Sequence, residues 1–171
     1  MIPEPSMLFP PTQGTDMRQV SSTIAERAAP IDTLPWGARF PWHEVQILAG
    51  LMRRAVVASK GVIFRESTAG DYMALVQAGE INVLRADSTG KPQLMATVRP
   101  GQTLGEMTLV DEWTRSGTAI AVTEVQLIVL TRAGYDHLCE QHPAIGLRLM
   151  TQFARIISQR LRRASKALVE P

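Results

Sequence analysis

Between Arg53 and Thr131 the chain takes up a rhythm of short β-forming runs separated by tight polar turns, and this rhythm restricts the possible folds most. Runs rich in β-branched and aliphatic residues fall at 55–57, 62–65, 72–77, 80–85, 93–98, 118–121 and 125–130. Between them, AGE at 78–80, ADSTGK at 86–91 and RPGQ at 99–102 carry the glycines and short polar side chains that tight turns require. Strands so short and so closely spaced pair with their neighbours in antiparallel fashion, and closure into a barrel or jelly roll protects their edges. The expected fold class is therefore mainly β: an antiparallel β-roll, a jelly-roll barrel, with flanking helices and a long C-terminal helix. Gly79 suits a tight turn, and Arg85, Asp87 and Lys91 read as solvated hairpin charges.

The flanks have a different period. WHEVQILAGLM, beginning at Trp42, predicts a helix with Val45, Leu48 and Leu51 or Met52 as its apolar stripe. After the β-rich region, Thr131 is a candidate N-cap for a helix over 132–141, and Pro143 suits the first turn of another that extends to about Leu168. That last helix has two apolar aspects. Leu149, Phe153 and Ile156 can pack on the domain, while Met150, Ala154, Ile157, Leu161, Ala164 and Leu168 follow the spacing that suits a helix partner. A homodimer through this helix is expected, with a lone surface helix as the alternative.

Residues 1–41 read as an extension broken by prolines at 3, 5, 10, 11, 30, 35 and 41. The first fifteen residues are expected to lack structure, and 17–29 to form a short helix with Val20, Ile24 and Ala28 on one side. Leu34, Trp36, Phe40 and Trp42 carry too much apolar bulk for a free linker and are expected to lie against the domain or a dimer partner. Three segments result: the extension at 1–41, a β-roll with flanking helices at 42–142, and a C-terminal helix at 143–171.

Chemistry concentrates in LGEMTLVDEWTRSGT at 104–118. Gly105 lets backbone approach a ligand closely, and a short turn follows at 107–110. The turn's first N–H groups, at Met107 and Thr108, are placed to bind an anion. Arg115 returns nine residues after Glu106 with a planar, permanently positive fork suited to a phosphate. Glu106 then accepts from a neutral donor such as a sugar hydroxyl. Catalysis fits these residues poorly. Glu106 with Asp111 lacks opposed protonation roles, and Ser116 lacks a base, since no histidine lies within the motif. The chain is expected not to be an enzyme, with Asp111 and Glu112 as turn or surface acids.

Together with GVIFRE at 61–66, YMALVQAGEINVLRAD at 72–87, RSGTA at 115–119 and VQLIVLTRAGYDHL at 125–138, this motif resembles the cyclic-nucleotide-binding domain family over 44–151. The type is that of the catabolite activator protein and the regulatory subunits of cyclic-AMP-dependent protein kinase. The resemblance implies a phosphate-binding cassette over 105–116. Glu106 would hold the ribose 2′-hydroxyl, Arg115 would pair with the cyclic phosphate, and Ser116 would sit beside phosphate and base. It also places Arg160 and Leu161 of the last helix near the base as a lid. The implied ligand is cyclic AMP, with cyclic GMP possible, acting as a regulatory ligand and not as a cofactor. Two positions depart from the family pattern. Gly117 stands where alanine is usual, which removes a methyl contact, and Ser67 stands where a turn glycine is common. Replacing Arg115 with alanine is expected to abolish binding while leaving the fold intact.

The rest bounds the partners. A net charge of +2 in 171 residues gives little steering toward nucleic acid, despite a calculated isoelectric point near 9.0. The basic cluster from Arg160 to Lys166 is ordinary helix termination or a minor partner site. Only Val169, Glu170 and Pro171 follow the long helix, so no helix–turn–helix is expected and DNA binding is disfavoured. Cys139 is the sole cysteine, and His43, His137 and His142 are isolated, so no disulfide or metal site is expected. Neither a targeting segment nor a membrane span is apparent, and the expected location is the cytoplasm. A stand-alone cyclic-nucleotide receptor acting through an unknown protein partner is the leading reading. A ligand-free interaction module of the same fold, and nucleic-acid binding through the basic helix, are the alternatives.

Overall fold

The computed structural model of the chain describes residues 15–169, with side chains through Lys166. Nine strands form two antiparallel sheets. The first contains β1 (Arg18–Val20), β2 (Arg53–Val57), β9 (Val125–Thr131), β4 (Tyr72–Ala78) and β7 (Thr103–Leu104), in that order. The second contains β3 (Val62–Phe64), β8 (Thr118–Ala121), β5 (Ile81–Ala86) and β6 (Pro92–Val98), also in order. Five α-helices complete the fold: α1 (Ile24–Asp32), α2 (Trp42–Leu51), α3 (Met107–Asp111), α4 (Arg132–Gln141) and α5 (Pro143–Val169).

The expected mainly-β jelly-roll barrel does not form. Both sheets are open, because among the described residues no ladder joins β1 or β7 of the first sheet to β3 or β6 of the second. Helices take about 40% of the residues and strands about 30%, so the fold is mixed α/β. The physical reason is that turn rhythm specifies local antiparallel pairs but says nothing about whether the outermost strands meet. Here helices cover the apolar face of the first sheet that points away from the second.

The alternation along β4 and β9 shows how this works. Tyr72, Ala74 and Val76 of β4, with Val125, Leu127 and Val129 of β9, join a cluster with Ile63, Ile81, Ala119 and Ala121 of the second sheet. Their neighbours Met73, Leu75, Ile128 and Leu130 instead pack with Val45, Leu48, Leu138, Leu149 and Phe153 of the helices. Successive side chains of a strand point to opposite faces, so these two strands separate two cores and are buried on both sides. Helix α5 is held by Ile145, Leu149 and Phe153, all nearly or fully buried, each contributing about 1.5–3 kcal/mol. An ion pair between Arg148 and Glu44 fastens it to α2.

The N-terminal segment differs from the helix expected over 17–29. Residues 18–20 form an edge strand on β2, and α1 starts only at Ile24. Thr23 and Glu26 make a reciprocal capping box there, which fixes the start of the helix. Ala28, Ile31, Leu34 and Phe40 are buried against α2 and the adjoining core. The expectation of disorder in the first residues falls, apart from Thr15, on 1–14, outside the described residues.

Candidate functional site

The turn from β7 into α3 builds the site. Gly105 has φ +79, in the left-handed region, and a Cβ there would lie 2.4 Å from Arg115 Nη1 and 3.0 Å from the Tyr72 carbonyl oxygen. Only glycine lets the guanidinium and the backbone come so close. Glu106 follows as the N-cap of α3, and the N–H groups of Met107 and Thr108 stand at the helix start, where they have no intrahelical acceptor. Thr108 is packed on Gly70, and its carbonyl accepts a hydrogen bond from Arg132 at the start of α4.

Arg115 is only 3% exposed. Its Nη2 donates to the Tyr72 carbonyl at 2.7 Å, and its Nη1 to Thr108 Oγ1 at 3.0 Å and the Gly105 carbonyl at 3.2 Å. The guanidinium carbon lies 4.3 Å from the Phe64 ring centroid and 4.5 Å from that of Tyr72, in cation–π geometry. Burial lowers its pKa from the ordinary value, opposed by the charges around it. Burial likewise pushes the Tyr72 phenol up to about 12, and its hydroxyl donates to the Ile63 carbonyl at 2.6 Å. Three of the five guanidinium N–H groups are thus spoken for, while Nε is buried without a partner. The side chain thus organises the turn, so Arg115→Ala is expected to lower stability.

Glu106 is fully buried. Its Oε1 pairs with Nη1 of Arg160, which descends from α5, while Nη2 of the same arginine donates to the Thr103 carbonyl. Glu106 Oε2 has no hydrogen-bond partner. A buried, ionisable acceptor with one oxygen unsatisfied is costly unless a donor reaches it.

Gly105, Glu106, Thr108, Arg115 and Arg160 are accordingly brought together. Met107 and Ser116 are exposed, and Leu161 is 66% exposed on the outer side of α5. Gly117 is buried, and a Cβ there would lie 2.8 Å from the Leu84 carbonyl oxygen. The glycine thus accommodates close approach by β5; a methyl group would have no room. Ser67 adopts φ 63, donates its N–H to the Arg115 carbonyl at 2.8 Å, and so helps set the arginine. Phe64, Tyr72, Thr103 and Arg132 were not singled out from the sequence. Their link to the cassette is tertiary, and the nearest signal was only that aromatic residues sit on strands beside it.

The chain matches the family described as cyclic nucleotide-binding domain over residues 55–142. The chain belongs to that family. It is 30% identical over 126 residues to the cyclic AMP receptor protein of Thermus thermophilus, across 74% of this chain and 56% of that one. It is 25% identical over 108 residues to a CRP-like cAMP-activated global transcriptional regulator of Mycobacterium tuberculosis, across 63% of this chain and 46% of that one. The chain therefore spans about half the length of these two relatives. A cyclic nucleotide-binding domain from Methylobacillus flagellatus shares the fold, with a TM-score of 0.80, 22% identity, and coverage of 90% and 88% of the two chains. Among the described residues no helix is long and apolar enough to cross a membrane, and no group of three or more His, Cys, Asp and Glu could hold a metal ion.

Proposed function

We propose that the chain is a receptor for a cyclic purine mononucleotide, cyclic AMP ahead of cyclic GMP, which relays occupancy to a protein partner. The observation that carries this reading is the pair of unsatisfied buried atoms in the cassette, Glu106 Oε2 and Arg115 Nε. A cyclic nucleotide supplies a ribose hydroxyl that donates to the first and a phosphate oxygen that accepts from the second. The similarity to the Thermus receptor supports cyclic AMP over cyclic GMP.

Arg160 gives occupancy a mechanical consequence. A ribose hydroxyl on Glu106 Oε2 shares the carboxylate with the Arg160 guanidinium on Oε1 and draws negative charge from it, so it shifts the balance between α5 docked and α5 released. Leu161 at 66% exposure and the exposed Ala154 and Ala164 of the partner-facing row support a homodimer through this helix, while Met150 of that row is half-buried against the core. Leu168, at the end of the row, lies outside the described side chains. Light scattering at tens of micromolar tests the dimer, and a monomer with and without nucleotide overturns it.

Calorimetry on protein stripped of carried nucleotide tests the receptor reading. Binding of cyclic AMP with one site per chain is expected, and no binding of either cyclic AMP or cyclic GMP refutes it. A ligand-free interaction module is the second reading, favoured by Arg160 already occupying one oxygen of Glu106. The same titration separates the two.

A further inference from the structure

A cavity of about 290 Å³ opens between α5, the turn preceding β7, and the 3-10 turn Gly37–Arg39 of the N-terminal segment. It touches the cassette only through Thr103 and Arg160. Arg39, Arg155, Arg160 and Arg163 line it, with no acidic residue among the lining side chains. Among the described residues Arg39, Arg155 and Arg163 have no ion-pair partner. Four like charges around one small cavity repel one another, and the structure supplies a counter-charge only to Arg160.

Two buried polar side chains also line it. Thr103 is 2% exposed and its Oγ1 has no hydrogen-bond partner among the described residues. Gln152 is 4% exposed. Buried hydroxyl and amide groups are normally paired. Their presence beneath exposed arginines makes this a built polar site, beyond what charged residues at a helix terminus would provide.

We propose that this cavity is a second binding site, for a small molecule carrying at least two ionised phosphate or carboxylate groups. Planar guanidinium forks match both groups through paired N–H donors. Thr103 and Gln152 provide neutral contacts to the buried part of the ligand. The volume lies at the lower end of the range for small-molecule sites, and the surrounding segments come from three separate parts of the chain, which favours a compact ligand over an extended polymer. Arg39, Arg155 and Arg163 take no part in the cassette, so anion binding is tested without cyclic nucleotide.

The test is calorimetric titration of the whole, nucleotide-stripped chain with pyrophosphate and, separately, with citrate at 150 mM salt. One site per chain with Kd below about 100 µM is expected for at least one of them. Tighter binding of pyrophosphate assigns the site to phosphates, and tighter binding of citrate to carboxylates. The double variant Arg39→Ala/Arg163→Ala should weaken binding by about tenfold or more, since it removes two of the four forks while sparing Arg160. Arg162→Ala, which alters the same basic stretch outside the cavity, should stay within about twofold of the parent. Circular dichroism verifies that the variants are folded. Kd above about 1 mM for both anions overturns the proposal. So does equal weakening by Arg162→Ala and the double variant, which would signify diffuse attraction to the helix.

Discussion

Replacing Arg115 with alanine tests how much the cassette depends on its own arginine. The substitution deletes hydrogen bonds to the Tyr72 carbonyl, Thr108 Oγ1 and the Gly105 carbonyl, and leaves the Phe64 and Tyr72 rings facing a void. Hydrogen bonds from a charged donor contribute about 1.5–3 kcal/mol each. Part of that sum is returned, because the buried guanidinium no longer has to be desolvated. The net cost expected is about 3–5 kcal/mol, the range for removing one partner from a buried charged arrangement. For a chain of this size that is a fall of roughly 6–20 °C in Tm. Urea unfolding followed by circular dichroism, with thermal melts, measures it. Calorimetry with cyclic AMP at a temperature where the variant is folded should then show affinity reduced by about 2–5 kcal/mol, while Ser116→Ala, at an exposed side chain, loses about 0.5–1.5 kcal/mol at most. A variant with a Tm within about 2 °C of the parent refutes the structural argument. Near-parental affinity in that folded variant refutes the phosphate assignment.

Three further outcomes follow from the geometry. Gly105→Ala forces a Cβ to 2.4 Å from Arg115 Nη1 at a φ of +79, so it should lower stability by about 1–3 kcal/mol, read from the urea midpoint. Asp87 accepts from the Thr89 side chain, the Gln93 side chain and the Thr89 and Lys91 backbone, which hold its pKa down at about 2. Because the folded value is below the ordinary 3.8, the stabilisation is present above that value and is lost as pH falls toward about 2. The stability advantage of the parent over Asp87→Asn should therefore shrink across that window and stay constant above about pH 5, as followed by thermal melts in a pH series. Leu161→Glu places a charge on the outer row of α5 and should give a monomer by light scattering, with a cassette of unchanged cyclic AMP affinity.

What could be read from the sequence was local. The apolar stripe of α2, the Thr131 cap that accepts from the Gly134 N–H at 3.1 Å, the start of α5 at Pro143 and the left-handed Gly79 turn all depend on residues within one turn or one hairpin. Gly105, Glu106 and Arg115 also fall within one short stretch, and the structure brings them together. The misreadings were non-local. Val20, Ile24 and Ala28 have helical spacing, but β1 pairs with a strand about 35 residues further on, and its register with Ala55 decides the outcome. The T-x-x-E pattern of Thr23 and Glu26 was the available signal for the true helix start. Barrel closure failed as an inference because nothing in a period of two specifies whether two distant edges meet. The aromatic cage around Arg115 comes from Phe64 and Tyr72, brought in by strand pairing rather than sequence spacing.

Arg160 shows how one long-range contact changes the meaning of a well-recognised motif. Glu106 is fully buried, so its carboxylate requires a positive or donating partner. Within the chain that partner is Arg160, whose side chain is 42% exposed and whose attraction is therefore screened by water on one side. An ion pair of that kind is strong enough to dock the end of α5 on the cassette and weak enough to yield to a ligand with several simultaneous contacts. A ligand of micromolar affinity brings about 8 kcal/mol, well above the value of a half-exposed pair. On the proposed function, opening this contact subtracts from affinity without preventing binding, and the energy subtracted is the energy available to move α5. The residue that occupies one oxygen of Glu106 is then the one that would carry ligand binding to α5.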